Sequence, residues 1–118
     1  MIVIYGLKNC DSCRKAIKLL AAGDRPYRFH DLRADGLPAE RLSTWLAAVG
    51  WPALLNRHST TWRKLPDAEK TDLDQALAAA LLARHPTLIK RPVVEAEGEV
   101  IVGFATAQQA ALRRLAGG

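Results

Sequence analysis

The sequence has few cysteines, few aromatic residues and no long hydrophobic run, and these shortages exclude several classes of protein. Two cysteines in 118 residues are too few for the disulfide framework of a small secreted protein. No apolar stretch approaches the roughly 20 residues that a membrane-spanning helix needs. Met1 leads directly into an apolar segment, without the layout of a signal peptide. We therefore expect a soluble, cytoplasmic protein without a membrane partner.

The positive charge is dispersed along the chain. The formal net charge is +5, but no run of Lys and Arg exceeds two residues. This distribution does not predict nucleic acid as a partner and suits small anions better, such as oxyanions or the carboxylates of glutathione. His30, His58 and His85 lie without ligand spacing, and Cys10 and Cys13 supply only two of the four ligands of a structural zinc site. We expect no metal and no bound cofactor.

A short segment concentrates the residues with chemical potential, namely Lys8, Asn9, Cys10, Asp11, Ser12, Cys13 and Arg14. An apolar run at residues 2–5 precedes it and a helical pattern begins near Asp11, so we expect Cys10 at the N-terminus of a helix. There, unpaired N–H groups and the helix dipole favour a thiolate, and Lys8 and Arg14 add positive charge. Asp11, the expected helix cap, opposes this effect.

The order strand, Cys-x-x-Cys, helix is typical of redox-active motifs. Cys13 is expected on the same side of the first helical turn as Cys10, where it could close a disulfide with it. Two inert, buried cysteines are the alternative interpretation.

Hydrophobic periodicity predicts a strand–helix–strand unit near the N-terminus and a strand–strand–helix unit near the C-terminus. In chain order these are a strand at residues 2–5, a helix at 11–22, a strand at 27–31, strands at 93–94 and 100–102, and a helix opened by Thr106 with Gln109 in a capping pattern. Gly23 is expected to end the first helix in a left-handed conformation, and the hairpin is expected to turn near Gly98. The first two strands should be parallel.

The middle of the chain is predicted to be mainly helical. We expect a helix from Pro38 to Gly50, an ordered loop at residues 51–64, a short helical turn after Pro66, and a longer helix that Thr71 caps and Pro86 ends. Its predicted buried face comprises Leu73, Leu77, Ala80 and Leu81. Together the elements predict an α/β protein with a thioredoxin-like fold: one domain, residues 1–118, with a mixed central sheet (βαβ then ββα) and a helical insertion at about 38–86.

The chain resembles the arsenate reductase (ArsC)/Spx/YffB family of thioredoxin-fold proteins, and within it the YffB-type branch. The resemblance covers essentially the whole chain, through residues 5–11, 27–31, 50–51, 54–56, 60–65 and 89–92. It implies that Cys10 is the nucleophile and that Arg14 closes a Cys-x-x-x-Arg loop. It also implies that Arg91 and a cis Pro92 lie beside the active site. Cys13 stands where arsenate reductases have serine and where the Spx redox switch has its second cysteine.

The resemblance implies further anion-binding residues. Arg63 or Arg57 corresponds to the arginine of the middle loop, and Lys8, Asn9 and Ser12 belong to the expected binding loop. The third arginine of the arsenate reductases has no counterpart, because residues 103–107 carry no charge. A bound oxyanion needs its charge matched by fixed donors, so the resemblance does not extend to arsenate specificity.

Two functions follow. The first is a small, thiol-dependent, arsenate reductase-like oxidoreductase in which Cys10 attacks an oxidised sulfur or an oxyanion and Cys13 or glutathione resolves the product. Its expected co-substrate is glutathione, its expected protein partners are glutaredoxin or thioredoxin, and its substrate is a small anion or a disulfide. The alternative is a Spx-like redox-sensing regulator that binds RNA polymerase.

Overall fold

Four strands form one mixed sheet in the computed structural model, which describes residues 1–117. They are β1 Ile2–Gly6, β2 Tyr27–Asp31, β3 Val93–Ala96 and β4 Glu99–Val102. The spatial order is β2-β1-β3-β4. β1 is parallel to β2 and antiparallel to β3, which is antiparallel to β4. The predicted mixed sheet is confirmed.

Seven helices accompany the sheet in the part of the chain that the structure describes. They are α1 Asp11–Ala21, α2 Ala39–Val49, α3 Trp51–Leu54, α4 Thr60–Lys64, α5 Asp67–Lys70, α6 Gln75–Arg84 and α7 Thr106–Leu115, and a 3₁₀ turn, Pro86–Leu88, follows α6. Within residues 1–117, no helix has the length and apolar content required to cross a membrane.

The sheet, α1 and α7 belong to one of two units of the chain, formed by Met1–Gly36 and the residues from Arg91 onward. In this unit α1 contacts α7. Its core is apolar and comprises Ile2, Ile4, Ala16, Leu20, Val94, Ala96, Ile101, Leu112, Leu115 and Ala116. Because Ala16 and Leu20 are fully or almost fully buried there, the core fixes the position of α1.

The hairpin between β3 and β4 turns at Glu97 and Gly98, as predicted. Both residues have positive φ, 53° and 80°. Two-residue hairpins prefer this conformation because its twist matches that of the flanking strands.

The prediction that Gly23 ends α1 in a left-handed conformation is wrong. The φ of Gly23 is not in the positive region, and α1 ends at Ala21. A Cβ on Gly23 would overlap the carbonyl oxygen of Ala116 and lie 2.6 Å from the Ala116 Cβ. Glycine is needed here because the end of α7 passes close to the backbone.

α7 also begins differently from the prediction. Ala105 is its N-cap, no side chain caps it, and Thr106 is the first helical residue. Gln109 turns back to the chain before the helix, where its Nε2 donates to the Phe104 carbonyl oxygen (2.9 Å). The predicted capping contact between Gln109 and Thr106 is therefore replaced by a contact with Phe104, five residues before Gln109.

The second unit, Leu37–Lys90, is helical. α2 packs against α3 and α6, and Leu55 forms an antiparallel bridge with Ile89. Its buried apolar residues are Leu42, Trp45, Leu46, Leu54, Leu55, Ala78, Leu81, Leu82, Leu88 and Ile89. The segment predicted as a helical insertion, residues 38–86, lies within this unit, which has buried residues of its own.

Two predictions for this unit are wrong. Residues 51–64, predicted as a loop, contain α3 and α4, and the Ser59 hydroxyl caps α4 by accepting from the Trp62 N–H (3.1 Å). The longer helix, α6, begins at Gln75 because the Asp74 carboxylate, and not Thr71, caps it.

The start of α6 determines which of its side chains are buried. The Leu77 N–H donates to the Asp74 carboxylate (2.8 Å), and the Leu77 side chain remains 52% exposed. Ala78, Leu81 and Leu82 are buried instead. Of the predicted buried face, Leu81 is confirmed, whereas Leu77 and Ala80 are exposed and Leu73 is half-buried.

Candidate active site

Cys10 is the N-cap residue of α1, at the end of the loop that leaves β1. Its N–H donates to the Leu7 carbonyl oxygen (3.3 Å), and its own carbonyl oxygen accepts from the Arg14 N–H (3.0 Å). Its side chain does not cap the helix and is half-buried. Asp11, the predicted cap, is the first helical residue instead. The Cys10 sulfur is therefore free to accept hydrogen bonds at a helix N-terminus.

The neighbours of Cys10 stabilise its thiolate. Burial by itself raises the pKa of the Cys10 thiol, but hydrogen bonds from the Cys13 backbone N–H, the Cys13 side chain and the Arg91 guanidinium outweigh burial and lower the pKa. The positive charge of Arg91 acts in the same direction. The predicted direction of the shift is confirmed, although its charged partner is Arg91.

The pKa of the Cys13 thiol is shifted in the opposite direction from that of Cys10. The pKa of the Cys13 thiol is raised to about 12, mainly by burial and also by the neighbouring Cys10, against the lowering effect of the Leu7 N–H. Its side chain is 0% exposed, and a Cβ on Gly6 would overlap its sulfur. Both cysteines are free thiols. The pair thus combines a half-buried thiol of lowered pKa with an enclosed thiol of raised pKa.

Antiparallel pairing brings Arg91 to Cys10. β1 leads into the Cys10 loop, and its residue Tyr5 pairs with Val93 at the start of β3. The residues just before β3 therefore lie beside the loop that follows β1. The Arg91–Pro92 peptide bond is cis, as the resemblance implies, and Pro92 is buried.

The guanidinium of Arg14 does not reinforce the charge of Arg91 at Cys10. It forms an ion pair with Asp11 (2.7 Å), and both side chains are largely exposed. This pairing lowers the pKa of the Asp11 carboxyl. The expectation that Arg14 supplies positive charge to the thiolate is wrong, because the i,i+3 spacing on the helix surface places it next to Asp11.

Three other predicted binding residues lie next to Cys10 in the chain. Lys8 and Asn9 are exposed in the turn before Cys10, and Ser12 is half-buried in the first turn of α1. The charge of Lys8 lowers the pKa of the Asp31 carboxyl. Its effect on the Cys10 thiolate stays a prediction. Roles of the three residues in substrate binding stay predictions.

Arg63 and Arg57 belong to the unit Leu37–Lys90. Arg63, on α4, donates to the His58 carbonyl oxygen (3.2 Å), and the Arg57 guanidinium lies 5.6 Å from the centre of the Trp51 ring. Both side chains are exposed. Their contribution to anion binding stays a prediction.

Asp31 is a residue that sequence reasoning missed. Its buried carboxylate accepts from the Arg33 N–H (2.8 Å) and the Ala34 N–H (3.1 Å), and these bonds lower its pKa. Asp31 pairs with Gly6 in the sheet, so it orders the turn beside the Cys10 loop. An Asp at the end of an alternating strand, a position that favours an Asx turn, is the sequence signal for this role.

The chemistry open to this site is sulfur chemistry. It holds a thiol of lowered pKa at Cys10, a buried thiol of raised pKa at Cys13 and a guanidinium at Arg91 that can neutralise an anion. Among residues 1–117, no three His, Cys, Asp or Glu side chains are grouped to hold a metal ion.

Comparisons with known proteins agree with this arrangement. The ArsC family matches residues 5–112. The solved structure of a YffB protein has a TM-score of 0.88 and 45% identity, covering 95% of this chain and 98% of that one. An arsenate reductase (ArsC) related protein from Brucella melitensis has a TM-score of 0.74 and 44% identity, covering 93% and 92%.

A relative of another class is more distant. The global transcriptional regulator Spx of Listeria innocua is 28% identical over 107 residues, which cover 88% of this chain and 80% of the regulator. Since the family match spans the Cys10 loop, the helical unit and the hairpin, the chain belongs to the ArsC family and has its thioredoxin-like fold.

Proposed function

We propose that this protein is a small cytoplasmic thiol-dependent reductase that uses Cys10 as its nucleophile and glutathione as its co-substrate. One observation carries the proposal: the half-buried Cys10 thiol is stabilised as a thiolate by the Cys13 N–H and the Arg91 guanidinium. A thiolate is the nucleophilic form of cysteine. The similarity to an arsenate reductase related protein supports the same class of reaction.

The reaction begins with attack on an oxidised sulfur. The Cys10 thiolate attacks the glutathione sulfur of a mixed disulfide, the S–S bond breaks, and the released thiolate takes a proton from water. Cys10 then holds glutathione in a new disulfide. Free glutathione attacks the bound glutathione sulfur and releases the Cys10 thiolate, or Cys13 attacks the Cys10 sulfur and releases glutathione.

Arg91 also serves the binding of the substrate. Its guanidinium lies at the Cys10 sulfur, where a glutathione carboxylate or an oxyanion would approach. Guanidinium groups bind such anions with charge-assisted hydrogen bonds. Lys8, Asn9, Ser12 and Arg63 are proposed as further contacts. Arsenate reduction is a narrower version of this activity, and glutaredoxin or thioredoxin are the proposed protein partners.

A coupled assay tests the proposal. Bis(2-hydroxyethyl) disulfide and glutathione are supplied, and the glutathione disulfide formed is followed by NADPH oxidation with glutathione reductase. We expect turnover by the wild type, the uncatalysed rate for Cys10→Ser, and the wild-type rate for Arg113→Ala, a change on the exposed side of α7. Equal rates for Cys10→Ser and the wild type would refute the proposal.

A second arm of the same assay replaces the disulfide with arsenate and measures arsenite. We expect slower turnover than with the disulfide, because the segment of residues 103–107 supplies no third arginine. Faster turnover of arsenate would make the oxyanion the preferred substrate.

The alternative function is a redox-sensing regulator, which the 28% identity to Spx over most of the chain favours. Capture of purified RNA polymerase by the oxidised chain, compared with the reduced chain, tests it. Capture of polymerase that depends on oxidation, in a protein without disulfide turnover, would replace the reductase by the regulator.

A further inference from the structure

Helix α6 has an apolar surface on all its sides. Residues 76–83 are all Ala or Leu, and three of them are buried, namely Ala78, Leu81 and Leu82. A helix that is apolar on every side is normally covered on every side. The unit Leu37–Lys90 covers only one side of α6.

The other side of α6 is open to solvent. Ala76, Ala80 and Ala83 are exposed, and the Leu77 side chain is 52% exposed. At 3.6 residues per turn these four positions lie away from the buried side of the helix, and together they form the α6 face. Beside Leu77, a cavity of about 230 Å³ opens between α5 and α6. The α6 face is therefore an apolar surface with an apolar recess at its edge.

The two ends of the α6 face carry opposite charges. Asp72 and Asp74 are exposed before the first turn, and in the part of the chain that the structure describes neither carboxylate forms an ion pair. Arg84 ends the helix, and its side chain is 60% exposed although it contacts Glu69 (3.3 Å). The face thus begins negative and ends positive, which makes it complementary to a reversed copy of itself.

We propose that the α6 face binds a second copy of this chain, with the two α6 helices antiparallel and crossing near Ala80. A two-fold axis at the crossing brings the same surface of both copies together, as in most dimers of identical chains. Ala80 then lies opposite Ala80 of the second copy, and Ala76 lies opposite Arg84 of the second copy.

Packing and charge both favour this occupant. Alanine side chains allow two helix axes to approach closely, and Leu77 of each copy loses its contact with water. Arg84 of each copy reaches the first turn of the other α6, where Asp72 and Asp74 lie. Antiparallel helix dipoles act in the same direction. A partner with a surface of one charge would match only one end of the face.

The size of the face predicts a weak dimer. Stable and specific interfaces bury about 800 Å² on each partner, whereas the α6 face spans fewer than three helical turns. We therefore expect a dimer that forms at millimolar concentrations of the chain and dissociates at micromolar concentrations.

Sedimentation equilibrium of the wild type and of three Ala→Glu variants tests the proposal. Ala80→Glu places two carboxylates opposite each other, so the dissociation constant of the dimer should rise at least about tenfold. Ala76→Glu places a carboxylate opposite Arg84, so the constant should fall about threefold, as for exposed ion pairs. Ala110→Glu changes an exposed position of α7 and should leave the constant unchanged.

The opposite effects of one substitution at two positions of α6 make the test specific. An increase in affinity with Ala76→Glu could not come from a misfolded chain. A wild type that stays monomeric at every concentration would overturn the proposal and leave the face to a different protein. A wild-type constant for Ala80→Glu would also overturn it. Weaker association of both α6 variants would refute the antiparallel arrangement, because parallel helices place residue 76 opposite itself.

Discussion

The guanidinium of Arg91 donates a hydrogen bond to the sulfur of Cys10. The two residues are far apart in the chain, and the pairing of β1 with β3 brings them together. A charged donor on a thiolate is stronger than a neutral one. This contact joins the N-terminal strand–helix–strand segment to the C-terminal hairpin at the place where the chemistry is proposed.

Arg91→Ala should make Cys10 less reactive at neutral pH. Loss of the charge and of its hydrogen bond raises the pKa of the Cys10 thiol, since Arg91 lowers it in the native protein. We expect alkylation by iodoacetamide at pH 6 to slow by roughly tenfold, the effect of a charged hydrogen bond of ordinary strength. Arg113→Ala should leave the rate unchanged. A wild-type rate in Arg91→Ala would show that Arg91 does not stabilise the thiolate.

Asp31→Asn should destabilise the protein in a pH-dependent way. The Ala34 and Arg33 N–H groups lower the pKa of the folded Asp31 carboxyl, so its contribution to stability is present above the unfolded pKa of about 4 and is lost as the pH falls through the folded value. Thermal unfolding followed by circular dichroism should show a lower midpoint for the variant at pH 7. The difference should shrink as the pH falls below about 4, because the unfolded chain then binds a proton that the folded Asp31 carboxylate resists. Asp24→Asn, an exposed position, is the control. A difference that does not depend on pH would contradict this account.

Gly6→Ala should cost stability through a clash with Cys13. The new Cβ would overlap the Cys13 sulfur, and overpacking of a buried site costs about 1–3 kcal/mol. Cys13→Ala removes that sulfur, so the double variant should lose less stability than the sum of the single losses. Urea unfolding of the four proteins measures the coupling. Additive losses of stability would show that the new Cβ at residue 6 is accommodated by groups other than the Cys13 sulfur.

Asp74→Ala should weaken the start of α6, because the Asp74 carboxylate accepts the Leu77 N–H at 2.8 Å. Removal of an N-cap of this kind costs about 1 kcal/mol. Thr71→Ala, at the cap position that the sequence pattern suggested, should cost less stability. The Thr71 hydroxyl donates to the Asp67 carbonyl oxygen (2.8 Å) at an exposed position and does not cap α6. The midpoints of urea unfolding compare the stabilities of the two variants. A larger loss of stability for Thr71→Ala than for Asp74→Ala would indicate that the helix is capped by Thr71 and begins earlier than Gln75.

Local patterns were sufficient for most of the elements. The apolar run of β1, the alternation of β2 and the helical spacing of α1 are each properties of adjacent residues, so their positions could be predicted within one residue. The hairpin turn at Gly98 follows from its local conformational freedom. The location of Cys10 at a helix N-terminus follows from the same patterns.

Local patterns were insufficient where neighbouring residues compete for one role. Thr71 and Asp74 are both good caps, and the sequence does not show which carboxylate or hydroxyl meets a helical N–H. The structure selects Asp74, and Leu77 therefore becomes exposed. Likewise, Arg14 is near Cys10 in sequence but pairs with Asp11.

The amino-acid order alone thus specifies where the strands lie, where α1 begins and which cysteine stands at its start, because hydrophobic period and backbone freedom act between near neighbours. It does not specify that Arg91 reaches Cys10, that Gly6 makes room for Cys13, or that Gly23 accommodates the end of α7. Each of these contacts joins residues that are separated along the chain, and strand pairing and helix packing bring them together.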